Sequence, residues 1–486
     1  MSNTENKYQF PSNIPILLDG RPVEKITAFL FPHGGNDDPQ RLKANEGKSF
    51  QGSIVLGMGF TFDDTNPEAT PIAEMHRLIA ENPKNAEVIF PYIGGEEVNS
   101  SPTHAHYRYA IDFFDRDEEE CWESYPELME IVKEKVKPDR DKQKRDALRI
   151  KWWQYAEKRP GLKRAIEGRD RVLVRSLTSK NFCFTFLNHG YVYDQTLIVF
   201  AKAEFIDLTI LSSRIHEVWA NFFGASMKDD PRYNIGDCFE TFPFPEEPHS
   251  LATNTPHPLA PSPWDGEGEQ EALPLFSSPL SPSSSSSSPL ASSYSSPLAT
   301  SGEGCRGGEV LLNGEGSQGS EVLEAIGRIY YEYRAQLMIR NNQGLTATYN
   351  RFHDPHEDHP DILKLRELHH QMDRAVLDAY GWQDIHTPCG FTLDYLDTEP
   401  EQLPPQAQQR ITSGDLFFPT ASDAIDFDIL IRTHTAKRGK LPWRYKWPQN
   451  THDEVLSRLL ALNQERHEAE IRLGLQGQNR KPRQKR

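Results

Sequence analysis

Cysteine is scarce in this chain. The five residues Cys121, Cys183, Cys238, Cys305 and Cys389 are widely separated, odd in number and never spaced as CxxC. That argues against a disulfide framework and a structural zinc site, and it fits a reducing, cytoplasmic setting. No run approaches the roughly 18 apolar residues needed to span a bilayer. The N-terminus, MSNTENKYQF, lacks the basic-then-apolar pattern of a signal peptide. Apolar residues are themselves few, at 37% of 486 residues and a mean hydropathy of −0.66. The length suggests roughly three domains, and the composition predicts that part of the chain is not folded. No P-loop, Ser/His/Asp arrangement or Asp…Glu-x-Lys nuclease pattern stands out.

Positive charge is also in deficit, with one exception. The chain carries a net charge of −17. Between Ile131 and Lys180, however, 17 Lys/Arg face 7 Asp/Glu, a local charge of +10. The same window holds Trp152, Trp153 and Tyr155, side chains able to stack on bases or ribose. Basic residues interleaved with aromatics in an acidic chain point to a polyanion surface, DNA or RNA, although a merely solvated basic helix has the same composition.

From about Pro248 to Ser320 the sequence is Pro/Ser/Gly-rich, with six serines at Ser283–Ser288, recurring SSPL units and recurring GEG. Such a segment buries too little apolar surface to offset its ordering entropy, so residues 248–320 read as a disordered low-complexity linker. Before it lies a mixed α/β (α+β) region. Its β-rich runs are Ser53–Leu56, Glu87–Phe90, Ala110–Phe114, Val172–Val174, Phe182–Phe186 and Leu197–Ala201. Spacings of three and four predict a helix over Glu204–Phe223, and a shorter one through Leu128, Ile131 and Val132 that stops by Pro138. After the linker the pattern is all-α: Val322–Met338, Asp361–Tyr380 with Gly381 at its C-terminal end, and a last helix opened by a Thr451–Glu454 capping box. The basic tail KPRQKR closes the chain.

Within the basic window, one helix over Asp141–Lys158 would place Lys142, Arg145, Arg149 and Trp153 near one face, a ridge suited to phosphates. Lys137, Arg140, Arg159, Lys163, Arg164 and Lys180 extend the patch. Trp152 reads as core, and the pattern leaves Trp153 open between core and ridge. Gly57-Met58-Gly59 after a β-rich run faintly resembles a cofactor-binding turn, but Phe62 stands where the third glycine belongs, so turn chemistry is expected. His353-Asp-Pro-His356-Glu-Asp-His359 puts three histidines beside carboxylates, with His369 and His370 following. A metal site uses such residues, yet Asp, Pro and His are ordinary connectors between helices, and no metal is expected.

Several ordered strings add a resemblance. They are Phe50-Gln-Gly-Ser53, Gly57-Met-Gly-Phe60, Pro91-Tyr-Ile-Gly-Gly95, Ala110-Ile-Asp-Phe113, Val136-Lys-Pro-Asp-Arg140, Trp152-Trp153 and Arg159-Pro160. Leu211-Ser-Ser-Arg-Ile-His216 and Cys238-Phe-Glu-Thr-Phe-Pro-Phe-Pro245 follow. In this order they resemble the target-recognition domain of MmeI-like (type IIL) restriction-modification DNA methyltransferases. Leu345-Thr346…Tyr349-Asn350-Arg-Phe-His353, Leu365-Arg366…Met372-Asp373…Ala379-Tyr-Gly-Trp382 and Leu459-Leu-Ala-Leu-Asn463 resemble that family's C-terminal helical region.

The resemblance implies an organisation and a division of labour. Residues 1–30 would be the end of a methyltransferase domain, 31–247 the DNA-binding target-recognition domain, 321–400 a helical domain and 401–486 a tail with a terminal helix. Full-length members carry an Asn/Asp-Pro-Pro-Tyr/Phe loop and a glycine turn for S-adenosylmethionine. Phe90-Pro91-Tyr92 lacks the Asn/Asp-Pro pair, and the nuclease motif is missing too. The expectation is therefore a sequence-recognition portion of an adenine-specific (N6) system that binds double-stranded DNA. It would itself hold no cofactor, metal or catalytic residue, and would work with a separately encoded methyltransferase polypeptide that uses S-adenosylmethionine. Two rivals are a chain that is itself the methyltransferase, and a protein–protein adaptor with no DNA role.

Overall fold

The computed structural model describes residues 16–18, 21–30, 36–227, 230–245, 318–396, 403–434 and 440–476. The linker expected at 248–320, apart from its last residues, and the KPRQKR tail lie outside them.

Of the expected β-rich runs before the linker, Ser53–Leu56 forms no strand and contributes only isolated bridges at Ser53 and Ile54. Most of the expected runs help build two four-stranded sheets. In the first, Ser49–Gln51, Leu197–Phe200, Arg171–Ser176 and Thr185–Asn188 are neighbours in that order, antiparallel throughout. Val172, Val174, Leu197 and Phe200 are all buried, and strands covered on both faces read as unbroken apolar runs. In the second sheet Thr61–Phe62, Arg108–Ile111 and Ile89–Ile93 are antiparallel, and Val192–Tyr193 adds a parallel edge.

The chain passes from the second sheet to the first between Tyr193 and Leu197, and Gly52 meets it there. A Cβ on Gly52 would stand 2.1 Å from the Asp194 carbonyl oxygen. Close backbone approach therefore fixes the glycine of Phe50-Gln-Gly-Ser53. The Gly57-Met-Gly59 turn also answers to packing. Gly57 has φ +148°, and a Cβ on Gly59 would lie 2.5 Å from the Cβ of Lys135, on the helix Pro126–Lys135.

The single helix expected over Glu204–Phe223 is two, Phe205–Ser212 and Arg214–Phe223, because Ser213 is extended. The break frees the first turn of the second helix to meet the helix Pro360–Ala379. The Arg214 backbone N–H donates to Asp373 at 2.8 Å, and its guanidinium donates to Asp373 at 2.6 Å and His369 Nδ1 at 2.8 Å. Burial alone would raise the Asp373 carboxyl, but Arg214 and His369 beside it outweigh burial and hold it below the usual carboxylate range. The string Leu211-Ser-Ser-Arg-Ile-His216 is thus a joint between the two halves of the fold.

The C-terminal region is mainly helical: Gln318–Asn341, Leu345–Phe352, Pro360–Ala379, Pro405–Thr412, Ala421–His434 and Gln449–Arg472. Gln318–Asn341 lies hard against Phe205–Ser212, where a Cβ on Gly327 would stand 2.0 Å from Thr209 Oγ1. At the end of Pro360–Ala379, Gly381 has φ +74°; its N–H donates to Asp378 and that of Trp382 to Leu377, both at 2.9 Å, which is a complete Schellman ending. The expected capping box is not used. Pro448 precedes the last helix, and Thr451 sits inside it, donating to the His386 carbonyl at 3.2 Å. Asn463 donates to the carbonyls of Gln40 at 2.8 Å and Thr241 at 2.6 Å, clasping both ends of the first region.

One feature departs from the all-α expectation. Gly390–Leu393 pairs with Phe417–Phe418 and Trp443–Lys446 in a three-stranded antiparallel sheet. Phe391, Phe418, Phe427 and Trp443 form its own small core.

Candidate nucleic-acid interface

The expected helix over Asp141–Lys158 does not form. Lys137–Asp141 and Asp146–Ile150 are short helices, followed by a turn at 151–153. Trp152, Trp153 and Tyr155 are all buried in the core of the second sheet. Adjacent side chains on a helix point about 100° apart; here the chain turns at 151–153 and both indoles enter the core.

Two expected DNA contacts therefore face inward. Trp153 is 6% exposed; its ring N–H donates to the Arg116 carbonyl at 3.1 Å, and it meets Trp152 edge to face. Arg140 is 1% exposed and donates to the carbonyls of Val55 at 3.0 Å and Gln154 at 3.2 Å, with no carboxylate partner among the described residues. Desolvation lowers its pKa from the ordinary arginine value. Both residues are structural, and neither presents a surface to phosphate. In sequence Arg140 sits beside Lys137, Asp139 and Asp141, which look like a solvated surface and give no sign of its burial.

The other candidates divide by partner. Lys137 pairs with Asp141 and Lys142 with Asp139, each at 2.9 Å; Arg145 pairs with Glu157 at 3.0 Å, and Arg149 with Asp146. Arg159, half-buried with φ +52°, donates to the Gly52 carbonyl at 3.3 Å. Lys163 pairs with Asp112 at 2.7 Å, its ammonium 3.9 Å from the Phe114 ring centre. Below it, Phe90, Tyr191, Leu162 and Ile166 help line a cavity of about 250 Å³. Arg164 and Lys180 are exposed and have no ion pair among the described residues.

Lys144 and Lys151, not singled out by the ridge pattern, are also exposed and, among the described residues, free of ion pairs. Their only signal in sequence is membership of the window. The paired cations remain available as well, since an exposed ion pair contributes about 0–1 kcal/mol and exchanges readily for a phosphate. The structure thus keeps the positive field of the window and changes which side chains carry it.

A second basic strip was not read from sequence. Arg432, Lys440 and Arg444 line a cavity of about 790 Å³ together with Lys180. Each has an acidic partner: Arg432 with Asp428, Lys440 with Asp354 at 3.0 Å, and Arg444 with Asp394 at 2.8 Å. The alternation Trp443-Arg-Tyr-Lys446, apolar and basic by turns, was the available sign of a strand with one basic face.

The histidine run is dispersed. His353 Nδ1 accepts from the Tyr445 N–H at 3.1 Å, His356 meets Asp428 at 3.3 Å, and His359 caps the helix Pro360–Ala379. Among the described residues no group of three or more His, Cys, Asp or Glu is placed to hold a metal. Among them, too, no helix is long and apolar enough to cross a membrane.

Residues 58–246 match the family model described as MmeI, target recognition domain. No curated protein matches the chain. Among solved structures, one described as the type IIL restriction-modification enzyme MmeI in complex with DNA is similar over 84% of this chain and 39% of that one, at 14% identity and a TM-score of 0.46. The present chain thus spans well under half the length of that protein.

Proposed function

We propose, from the premise that residues 58–246 belong to the MmeI target-recognition-domain family, that this chain grips duplex DNA and reads its sequence for a restriction-modification methyltransferase. One observation carries the reading. Lys144, Lys151, Arg164 and Lys180, exposed and without ion pairs among the described residues, all fall inside the segment that matches the family. Phosphate contacts from such side chains fix the register of a protein on DNA, and base-edge contacts then specify the sequence.

The reaction served is methylation of an exocyclic adenine amine (N6). Reaching that amine requires taking the base out of the stack, at a cost of a few kcal/mol. A gripping domain holds the flanking duplex while a pocket receives the base. In this reading the pocket, its Asn/Asp-Pro-Pro-Tyr/Phe loop and S-adenosylmethionine belong to a methyltransferase polypeptide acting in trans.

Selection of bound duplexes from a random library tests the reading. The expected result is one enriched site, and recovery of unenriched sequence contradicts a target-reading role. Radiolabelled methyl transfer from S-adenosylmethionine to DNA is expected only after the catalytic polypeptide is added. Transfer by the purified chain alone instead supports the rival in which it is the methyltransferase.

A further inference from the structure

The cavity of about 790 Å³ does not stand alone. A neighbouring one of about 200 Å³ shares Lys180, His353 and Arg444 with it and adds Lys446. Those three residues come from distant parts of the chain: the turn after the strand Arg171–Ser176, the end of the helix Leu345–Phe352, and the strand Trp443–Lys446.

His353 is unusual among them. The Tyr445 backbone N–H donates to its Nδ1 at 3.1 Å, which places the ring proton on Nε2. That Nε2–H has no partner among the described residues, and the ring lines both cavities. Burial, Arg444 and Arg214 keep the imidazole neutral, far below its ordinary pKa. It is a fixed donor without charge.

Charge in the two cavities nearly balances. Arg432, Arg444, Lys440 and Lys446 are set against Asp354, Asp394, Asp428 and Glu217, which leaves the Lys180 ammonium, with no ion pair among the described residues, as the surplus. One surplus cation beside a neutral N–H donor and a forked guanidinium suits one monoanionic, acceptor-rich group. A phosphodiester is such a group, and Arg is the side chain whose fork matches it.

We propose that Lys180, His353 and Arg444 form a seat for a single phosphate of the DNA backbone, so that the C-terminal sheet supports the duplex from a second side. The proposal rests on the DNA-gripping reading above. It goes beyond it by assigning a contact to the C-terminal region, outside the segment that matches the family.

Trace acylation of lysines in the full chain, read residue by residue by mass spectrometry, tests the seat. The chain is labelled alone, with a short duplex, and with inorganic phosphate at the same phosphate concentration. The duplex is expected to slow labelling of Lys180 about tenfold and inorganic phosphate to slow it less, the seat being one of several contacts. Protection of Lys180 is expected to be lost in Arg444→Ala and in His353→Gln, with Lys144 still protected by the duplex in both. Lys180→Ala, an exposed change that leaves folding intact, is expected to make the dependence of log K on log[salt] shallower by about 0.9.

Duplex protection of Lys144 and Lys151 without Lys180 overturns the seat and leaves the gripping reading standing. Protection of Lys180 by inorganic phosphate but not by duplex overturns the backbone as its source. Protection at none of the three lysines overturns both.

Discussion

The two basic regions of this protein draw their partners in different proportions from near and far along the chain. In the window 131–180, Lys137, Lys142 and Arg149 take carboxylate partners three or four residues away, on the surface. In the strip 432–446, Lys440 reaches Asp354 and Arg444 reaches Asp394, partners from other parts of the chain. The window also pairs Arg145 with Glu157 and Lys163 with Asp112, and the strip also pairs Arg432 with Asp428, four residues apart. Asp428, 2% exposed, is a hub there, accepting from Arg432, from Trp443 Nε1 at 2.9 Å and from His356 at 3.3 Å. Local exposed pairs add little stability and are exchanged for phosphate at small cost. A carboxylate as buried as Asp428 fixes the shape of a cleft, because removing it strands Trp443 Nε1 and Arg432 without their acceptor, whereas Lys440 stays exposed beside Asp354. The window supplies field, and the strip supplies geometry.

The largest expected effect comes from breaking the hub. Asp428→Ala is expected to lower unfolding stability by about 2–4 kcal/mol, since Trp443 Nε1 loses its acceptor and Arg432 its partner. A thermal or denaturant melt checks it, and a loss within the range of a surface pair would erase the contrast between the two regions.

Acid sharpens the same point. Burial would raise the Asp428 carboxyl, but the bonds from Arg432, Trp443 and His356 outweigh it and hold it below the usual aspartate value. A carboxyl depressed in the folded state stabilises the fold above the unfolded pKa of about 4 and loses that contribution as pH falls through the lower folded value. Melts of the native chain are expected to weaken below about pH 4 more steeply than those of Asp428→Asn, and parallel curves would contradict the assignment.

Within the window, Arg140 should separate from its neighbours. Arg140→Ala is expected to cost about 1–3 kcal/mol of stability, because two buried carbonyls lose their donor. The salt dependence of DNA binding by the folded protein should be unchanged. A shallower dependence in that variant would return Arg140 to the interface.

Smallest in stability, and largest in binding, is neutralisation of the outward set. Arg164→Ala and Lys144→Ala are each expected to shift stability by no more than about 0.5 kcal/mol. Each should weaken duplex binding and make the salt dependence shallower by about 0.9. Thermal melts set beside binding isotherms at several salt concentrations separate the two effects.

Much of this was legible in the chain before folding, though seldom its cause. The ordered strings were visible, but Gly52 is required by the Asp194 carbonyl, and only a fold brings those residues together. The mixed sheets and the helices of the C-terminal region followed from periodicity and turn residues. The Asp141–Lys158 segment carries its charges at helical spacing, but burial of the adjacent Trp152 and Trp153, not that spacing, governs its local path. Ser213 ended a helix without proline or glycine, since its reward is the distant Asp373. The strip at 432–446 escaped notice because its cations are ordinary in composition and gain meaning only opposite Lys180.

The most direct measurement of the central claim is duplex binding by the full chain across a range of salt. If the outward window contacts about five phosphates, log K falls with log[salt] at a slope of roughly −4.5, and changing Lys144, Lys151 and Arg164 together to Ala makes that slope shallower by about 2.7. Binding that is absent at low salt, or a slope untouched by those three changes, would contradict it.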